Sequence, residues 1–211
     1  MKTIRFRFPW QLVVVFTLAL STGTFVPRGF AQEKFTLQKG DHVVYIGNTM
    51  ADRMQHHAWL ETQIHALHPM LELTVRNIGF AADEVKTRPR SQSFGSPDQW
   101  LGKCEADVIL CFFGYNESLK GEAGLAGFRK DLAETIDGML TQRYNGKSSP
   151  RLVFFSPIAH ENLKSPHLPD GTENNRNLAL YTRAMKEVCG EKKVRFVDLF
   201  QPTLAGSKKQ L

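Results

Sequence analysis

Apolar and polar positions along the 211-residue chain follow two alternating periods. Short apolar runs at His42–Ile46, Leu71–Arg76, Val108–Gly114, Arg151–Phe155 and Val194–Val197 read as strands. Val108–Gly114 carries no charge, is too short to span a membrane, and suits a strand buried on both faces of a parallel sheet. Stripes at helical spacing fall between the runs. One is Met50, Met54, His57, Leu60, Ile64 and Leu67, stopped by Pro69; a second is Leu125, Phe128, Leu132, Ile136 and Met139; a third is Leu178, Tyr181, Met185 and Val188. Strands alternating with helices imply right-handed βαβ units. Five strands in this rhythm predict a three-layer, flavodoxin-like α/β domain, with a parallel five-stranded sheet and helices on both faces.

Phe80–Lys103 reads as a loop, and a loop of that length in a compact domain is more often functional than idle; Ile158–Thr172 reads as a second, proline-containing loop. The strands end in Asn48-Thr49, Asn77 and Gly79, Gly114, Asn116 and Glu117, Ser156 to His160, and Asp198. Polar groups are thus delivered to one edge, outside the carboxyl ends of the strands, where open α/β sheets bind ligands.

The N-terminus changes the charge picture. Lys2, Arg5 and Arg7 precede an apolar stretch, Trp10–Leu20, and small residues at Gly29–Ala31, the pattern of a signal peptide. Cleavage is expected near Ala31–Gln32, leaving residues 32–211 as the folded domain and an exported, periplasmic or extracellular, destination. The apolar core is shorter than the ~20 residues a spanning helix needs, so no stable membrane span is expected after cleavage. The whole chain has a formal charge of +6, with 27 basic and 21 acidic residues. Four of the basic residues, Lys2, Arg5, Arg7 and Arg28, lie in the leader, which leaves 23 against 21 and no case for nucleic-acid binding.

Three cysteines, Cys104, Cys111 and Cys189, show no metal-ligand spacing. Cys111 reads as a core residue, and a disulfide between the other two stays open. His57, Glu61 and His65 fall at i, i+4, i+8, yet no H-E-x-x-H occurs and His57 shares an apolar stripe, so a partly buried helix face is expected and no metal. No Gly-rich phosphate fingerprint follows a strand, and no cofactor is expected.

Gly47-Asn48-Thr49, Asn77-Ile78-Gly79 and Gly114-Tyr115-Asn116-Glu117 form an ordered set that resembles the SGNH or GDSL-like hydrolases, an esterase and deacylase family with this three-layer fold. The resemblance implies a nucleophile at Thr49, where the family has the Ser of Gly-Asp-Ser, and an oxyanion hole from Gly79 and Asn116. Asn48, Asn77 and Glu117 are candidate ligand-binding residues in the same turns. A threonine hydroxyl attacks a carbonyl once a base takes its proton. Thr49 also reads as a helix N-cap, and the two roles are not exclusive. The family's Asp-x-x-His does not occur: aligning Asp198 puts Gln201 in the place of His. That block either lies beyond Leu211 or is missing, and a last helix is expected to be missing with it. His160 and Glu161, on the correct edge, are candidates for lining the pocket and moving a proton; a loop histidine bonded to its own turn is the competing reading. The resemblance implies hydrolysis of a small-molecule or carbohydrate O-acyl ester. The alternative is a catalytically inactive binding or scaffold module of a larger exported protein with further domains.

Overall fold

The structure is a computed structural model that describes residues 35–90 and 92–209. The leader expected at residues 1–31 lies outside the described residues. Five strands, β1 (His42–Gly47), β2 (Thr74–Asn77), β3 (Val108–Phe112), β4 (Arg151–Phe155) and β5 (Arg195–Val197), form one sheet in the order β2-β1-β3-β4-β5. All four pairings are parallel, with Tyr45 opposite Asn77, Gly47 opposite Phe112, and Phe112 opposite Phe155. The strand ends therefore meet along one edge, as the sequence pattern requires.

Alternate residues of each strand face opposite layers, which is why the central runs are apolar throughout. Val44, Ile46, Ile109, Cys111, Phe113 and Phe154 pack against one layer, built from α5 (Leu125–Thr141) and α6 (Thr172–Glu191) through Phe128, Leu132, Ile136, Tyr181, Met185 and Val188. Val43, Tyr45, Leu110, Phe112 and Val153 face the other. That face is covered by Met50 and Met54 of α1 (Thr49–His57), by Leu60 and Ile64 of α2 (Trp59–Leu67), and by Phe35 and Leu37 of the lead-in. Cys104, Cys111 and Cys189 are all free thiols.

Three features differ from the sequence expectation. The stripe from Met50 to Leu67 is two helices, because Ala58 adopts a left-handed conformation (φ 50°) and its N–H closes on Met54 O at 2.9 Å. The stretch Phe80–Lys103 is not all loop: α3 (Pro97–Lys103) starts at a capping box in which Ser96 and Gln99 satisfy each other's backbone N–H groups. The expectation of no helix after the fifth strand is also corrected, since α7 (Phe200–Lys209) follows β5. Ser156 Oγ, at the end of β4, accepts the N–H groups of Leu199 (2.8 Å) and Phe200 (3.0 Å), and so caps α7 from a distant point in the chain. A short helix, α4 (Tyr115–Ser118), follows β3 directly.

Candidate active site

The first turn at the edge is set by Gly47. Its φ is +132°, and a Cβ there would lie 2.1 Å from Phe112 O, so only glycine lets β1 end against β3. Asn48 continues the contact by donating its N–H to Phe112 O at 2.9 Å. It is buried and is the N-cap of α1, its Oδ1 accepting the Met50 N–H at 3.1 Å. The cap role open to Thr49 is therefore taken by its neighbour. Thr49 is the first helical residue, exposed, and its hydroxyl makes no hydrogen bond among the described residues. Its N–H, at the start of a helix, has no intrahelical acceptor.

Thr49 opens on a cavity of about 570 Å³ walled chiefly by apolar side chains, among them Met50, Met54, Trp59, Phe112 and Ile158. Arg53 and His57 continue the row from Thr49 at helical spacing along the same wall. Sequence reasoning missed Arg53 and placed His57 on a partly buried face. His57 is exposed on the cavity wall, and the break at Ala58 puts Glu61 and His65 on a different helix. The i, i+4, i+8 spacing holds only along an unbroken helix. Among the described residues no group of three or more His, Cys, Asp or Glu side chains is placed to hold a metal.

The second strand end is organised by Asn77. Its Oδ1 accepts the Gly79 N–H at 2.9 Å, while its Nδ2 donates to Ala51 O of α1 at 2.6 Å. Gly79 lies so close to α1 that a Cβ would sit 2.5 Å from the Ala51 Cβ. Asn77 and Gly79 line a second cavity of about 390 Å³, which shares no lining residue with the first.

At the third strand end, Asn116 lines neither of these cavities, and its Nδ2 donates to Asp83 O at 3.2 Å. Glu117 turns inward. Its two oxygens accept the N–H groups of Val85 and Gly114, each at 2.9 Å, which ties the stretch after β2 to the end of β3. Burial pushes the Glu117 carboxyl above the usual range, although the backbone hydrogen bonds pull the other way.

His160 lies after β4 but outside both cavities. It is bound to the start of α6: its N–H and C=O pair with the Asn175 amide, both at 2.8 Å, and its Nδ1 meets Asn174 Nδ2 at 2.9 Å. Nδ1 is the acceptor of that amide, which puts the proton of the neutral ring on Nε2. Glu161 is exposed. Asp198 Oδ1 accepts the Gln201 N–H at 3.0 Å in the first turn of α7. The structure thus brings Asn48 and Thr49 to one cavity, Asn77 and Gly79 to another, and joins Asn116 and Glu117 to the stretch after β2.

No family model and no curated protein matches the sequence. Solved structures do share the fold. A gut microbial diltiazem-metabolizing enzyme superposes with a TM-score of 0.63 at 16% identity over 85% of this chain, which spans only 41% of that protein. A catalytic mutant of an acetylxylan esterase from Geobacillus stearothermophilus gives 0.60 at 14% identity, over 82% of this chain and 83% of the esterase. The aryl esterase of M. smegmatis gives 0.53 at 13% identity, over 75% and 84%. The likeness is one of fold: the chain has the three-layer architecture of these esterases.

Proposed function

We propose that residues 32–211 form an exported ester hydrolase domain of the SGNH type, in which Thr49 Oγ1 attacks the acyl carbon of a small-molecule or carbohydrate O-acyl ester. One observation carries this reading: an exposed hydroxyl at the first position of a helix opens on an apolar cavity at the strand ends of an esterase fold. The free Thr49 N–H and the helix N-terminus supply positive potential where an oxyanion develops. Attack breaks the ester C–O bond, with the Thr49 hydroxyl proton passing through solvent to the leaving oxygen, so that acyl-threonine and free alcohol form; water then breaks the acyl–threonine bond, releasing the acid and returning a proton to Oγ1. The additional methyl of threonine narrows the χ1 choice and crowds the approach, so turnover is slower than for a serine.

Export belongs to the same proposal and rests on the basic-then-apolar pattern of the first 31 residues. The ester ligand and further domains in a longer chain are parts of it as well.

A second reading, ligand binding without turnover, is favoured by the hydrogen bonding. The Thr49 hydroxyl touches no described base, and the Gly79 N–H and Asn116 amide are both engaged within the fold. Labelling by an acyl fluorophosphonate, with hydrolysis of acetylated xylan oligomers alongside, separates the two. Modification at Thr49, abolished in Thr49→Val and accelerated in Thr49→Ser, is the expected result. An unmodified Thr49 in a protein that still binds the oligomers establishes the second reading.

A further inference from the structure

The smaller cavity, about 390 Å³, has a charge composition that hydrolysis at Thr49 does not call for. Arg88 and Arg90 both line it, and both pair with one carboxylate. Asp83, with a side chain only 1% exposed, accepts Arg90 Nη1 at 2.6 Å, Arg90 Nη2 at 2.9 Å and Arg88 Nη1 at 3.3 Å. The two arginine side chains are themselves only 15% and 13% exposed. Among the described residues no second acid pairs with either one: Arg88 Nη2 reaches only Val85 O at 3.4 Å, and Arg88 Nε is buried without a partner. Two cations facing one anion leave one positive charge over in a wall with little access to water, where an uncompensated charge is costly. Burial disfavours the charged form of Arg88 and Asp83 restores it, while Arg90 disfavours it further.

The surrounding rings lie against the guanidinium groups without neutralising them. Arg90 lies 3.9 Å from the centre of the Phe80 ring and 5.4 Å from that of Phe94, and Arg88 lies 4.7 Å from that of Phe113. Trp100, held by its Nε1 bond to Phe94 O at 2.7 Å, adds an aromatic side to the cavity. Forked, immobilised guanidinium donors beside an aromatic wall match a planar carboxylate or a sulfate carried on a sugar ring.

We propose that this cavity is an anion subsite that takes the carboxylate or sulfate group of an acidic sugar. As a statement about substrate it rests on the hydrolase reading above. The cavity wall is packed on the turn that bears Thr49, through Asn77 Nδ2 to Ala51 O at 2.6 Å and the close approach of Gly79 to Ala51. A sugar anchored here by its anion is held beside that turn.

Calorimetric titration of the protein with trigalacturonate, with a sulfated galactan trisaccharide and with xylotriose tests the proposal. One acidic sugar is expected to bind about tenfold or more tightly than xylotriose, the weight of one charge-assisted contact. Which of the two binds identifies the anion. Arg90→Gln is expected to remove that preference. If Arg90→Gln does not fold, the wild-type protein decides, because inorganic sulfate must compete with the acidic sugar and added salt must weaken it. Equal affinity for xylotriose, no binding of either acidic sugar, or a folded Arg90→Gln with unchanged preference overturns the subsite. Tight binding of an acidic sugar without turnover of its acetyl ester overturns hydrolysis and leaves the subsite standing. Turnover of acetyl esters with no preference for charge overturns the subsite alone.

Discussion

Asn77 Oδ1 accepts the Gly79 N–H at 2.9 Å, and the same side chain donates from Nδ2 to Ala51 O at 2.6 Å. One amide therefore closes the turn after β2 and fastens it to the first turn of α1, which carries Thr49. Asn77→Ala leaves the Gly79 N–H without its acceptor and takes the second donor from Ala51 O, and is expected to cost about 1–3 kcal/mol. A shift in the urea midpoint at unchanged slope checks this; an unshifted midpoint means water replaces the amide without loss.

Gly79 and Ala51 touch so closely that the side chain of one limits the other. Gly79→Ala sets a Cβ 2.5 Å from the Ala51 Cβ and must push α1 away, at about 1–3 kcal/mol. The double variant Ala51→Gly, Gly79→Ala is expected to recover more than the sum of the single effects allows. Strict additivity in thermal melts places the strain elsewhere.

Ser156 joins β4 to α7 by accepting two N–H groups through one oxygen. Ser156→Ala leaves both unpaired, and a loss of about 1–3 kcal/mol is expected, concentrated in α7. Amide hydrogen exchange is the suitable readout: Leu199, Phe200 and the following turn should exchange faster while the β3 amides stay protected. Uniform loss of protection across the domain contradicts the local role.

Glu117 gives a pH dependence with a definite sign. Its folded carboxyl titrates above its unfolded range because of burial, so the folded state binds the additional proton. The stability this proton brings is complete below the unfolded value, about 4.5, and is lost as the pH rises through the folded value. Unfolding measured from pH 4 upward should show the wild type falling relative to Glu117→Gln, and parallel curves refute the assignment.

Asn116 links the hydrolase reading to the stretch after β2, through its bond to Asp83 O. If its amide turns to an oxyanion during turnover, Asn116→Ala lowers kcat by about 10²–10³-fold with little change in KM. Loss of thermal stability without a specific fall in kcat identifies a tether only.

The layer order and the polar edge are local consequences of sequence. A short apolar run between turns suits a strand buried on both faces of a parallel sheet, and β4 spans the same Arg151–Phe155 that its spacing marks. The residues that gather at the edge follow from where those runs stop. What the sequence alone did not determine is which of them are free to act. Asn48 takes the cap and leaves Thr49 open, Asn77 occupies the Gly79 N–H, and Glu117 turns away from the edge to hold Val85 and Gly114. Each depends on which partner the folded chain brings within hydrogen-bond distance. The break at Ala58 runs against its residue's own preference for helix, and the two helices it separates pack on one sheet face. Asp198 caps the first turn of α7 locally, but the second cap, Ser156 at the end of β4, is a partner that only the fold brings there. Asp83, Arg88 and Arg90 are neighbours in sequence, but an exposed trio of the same residues would be an ordinary solvated cluster. Their excess charge acquires meaning only from burial, and burial is decided by the tertiary structure.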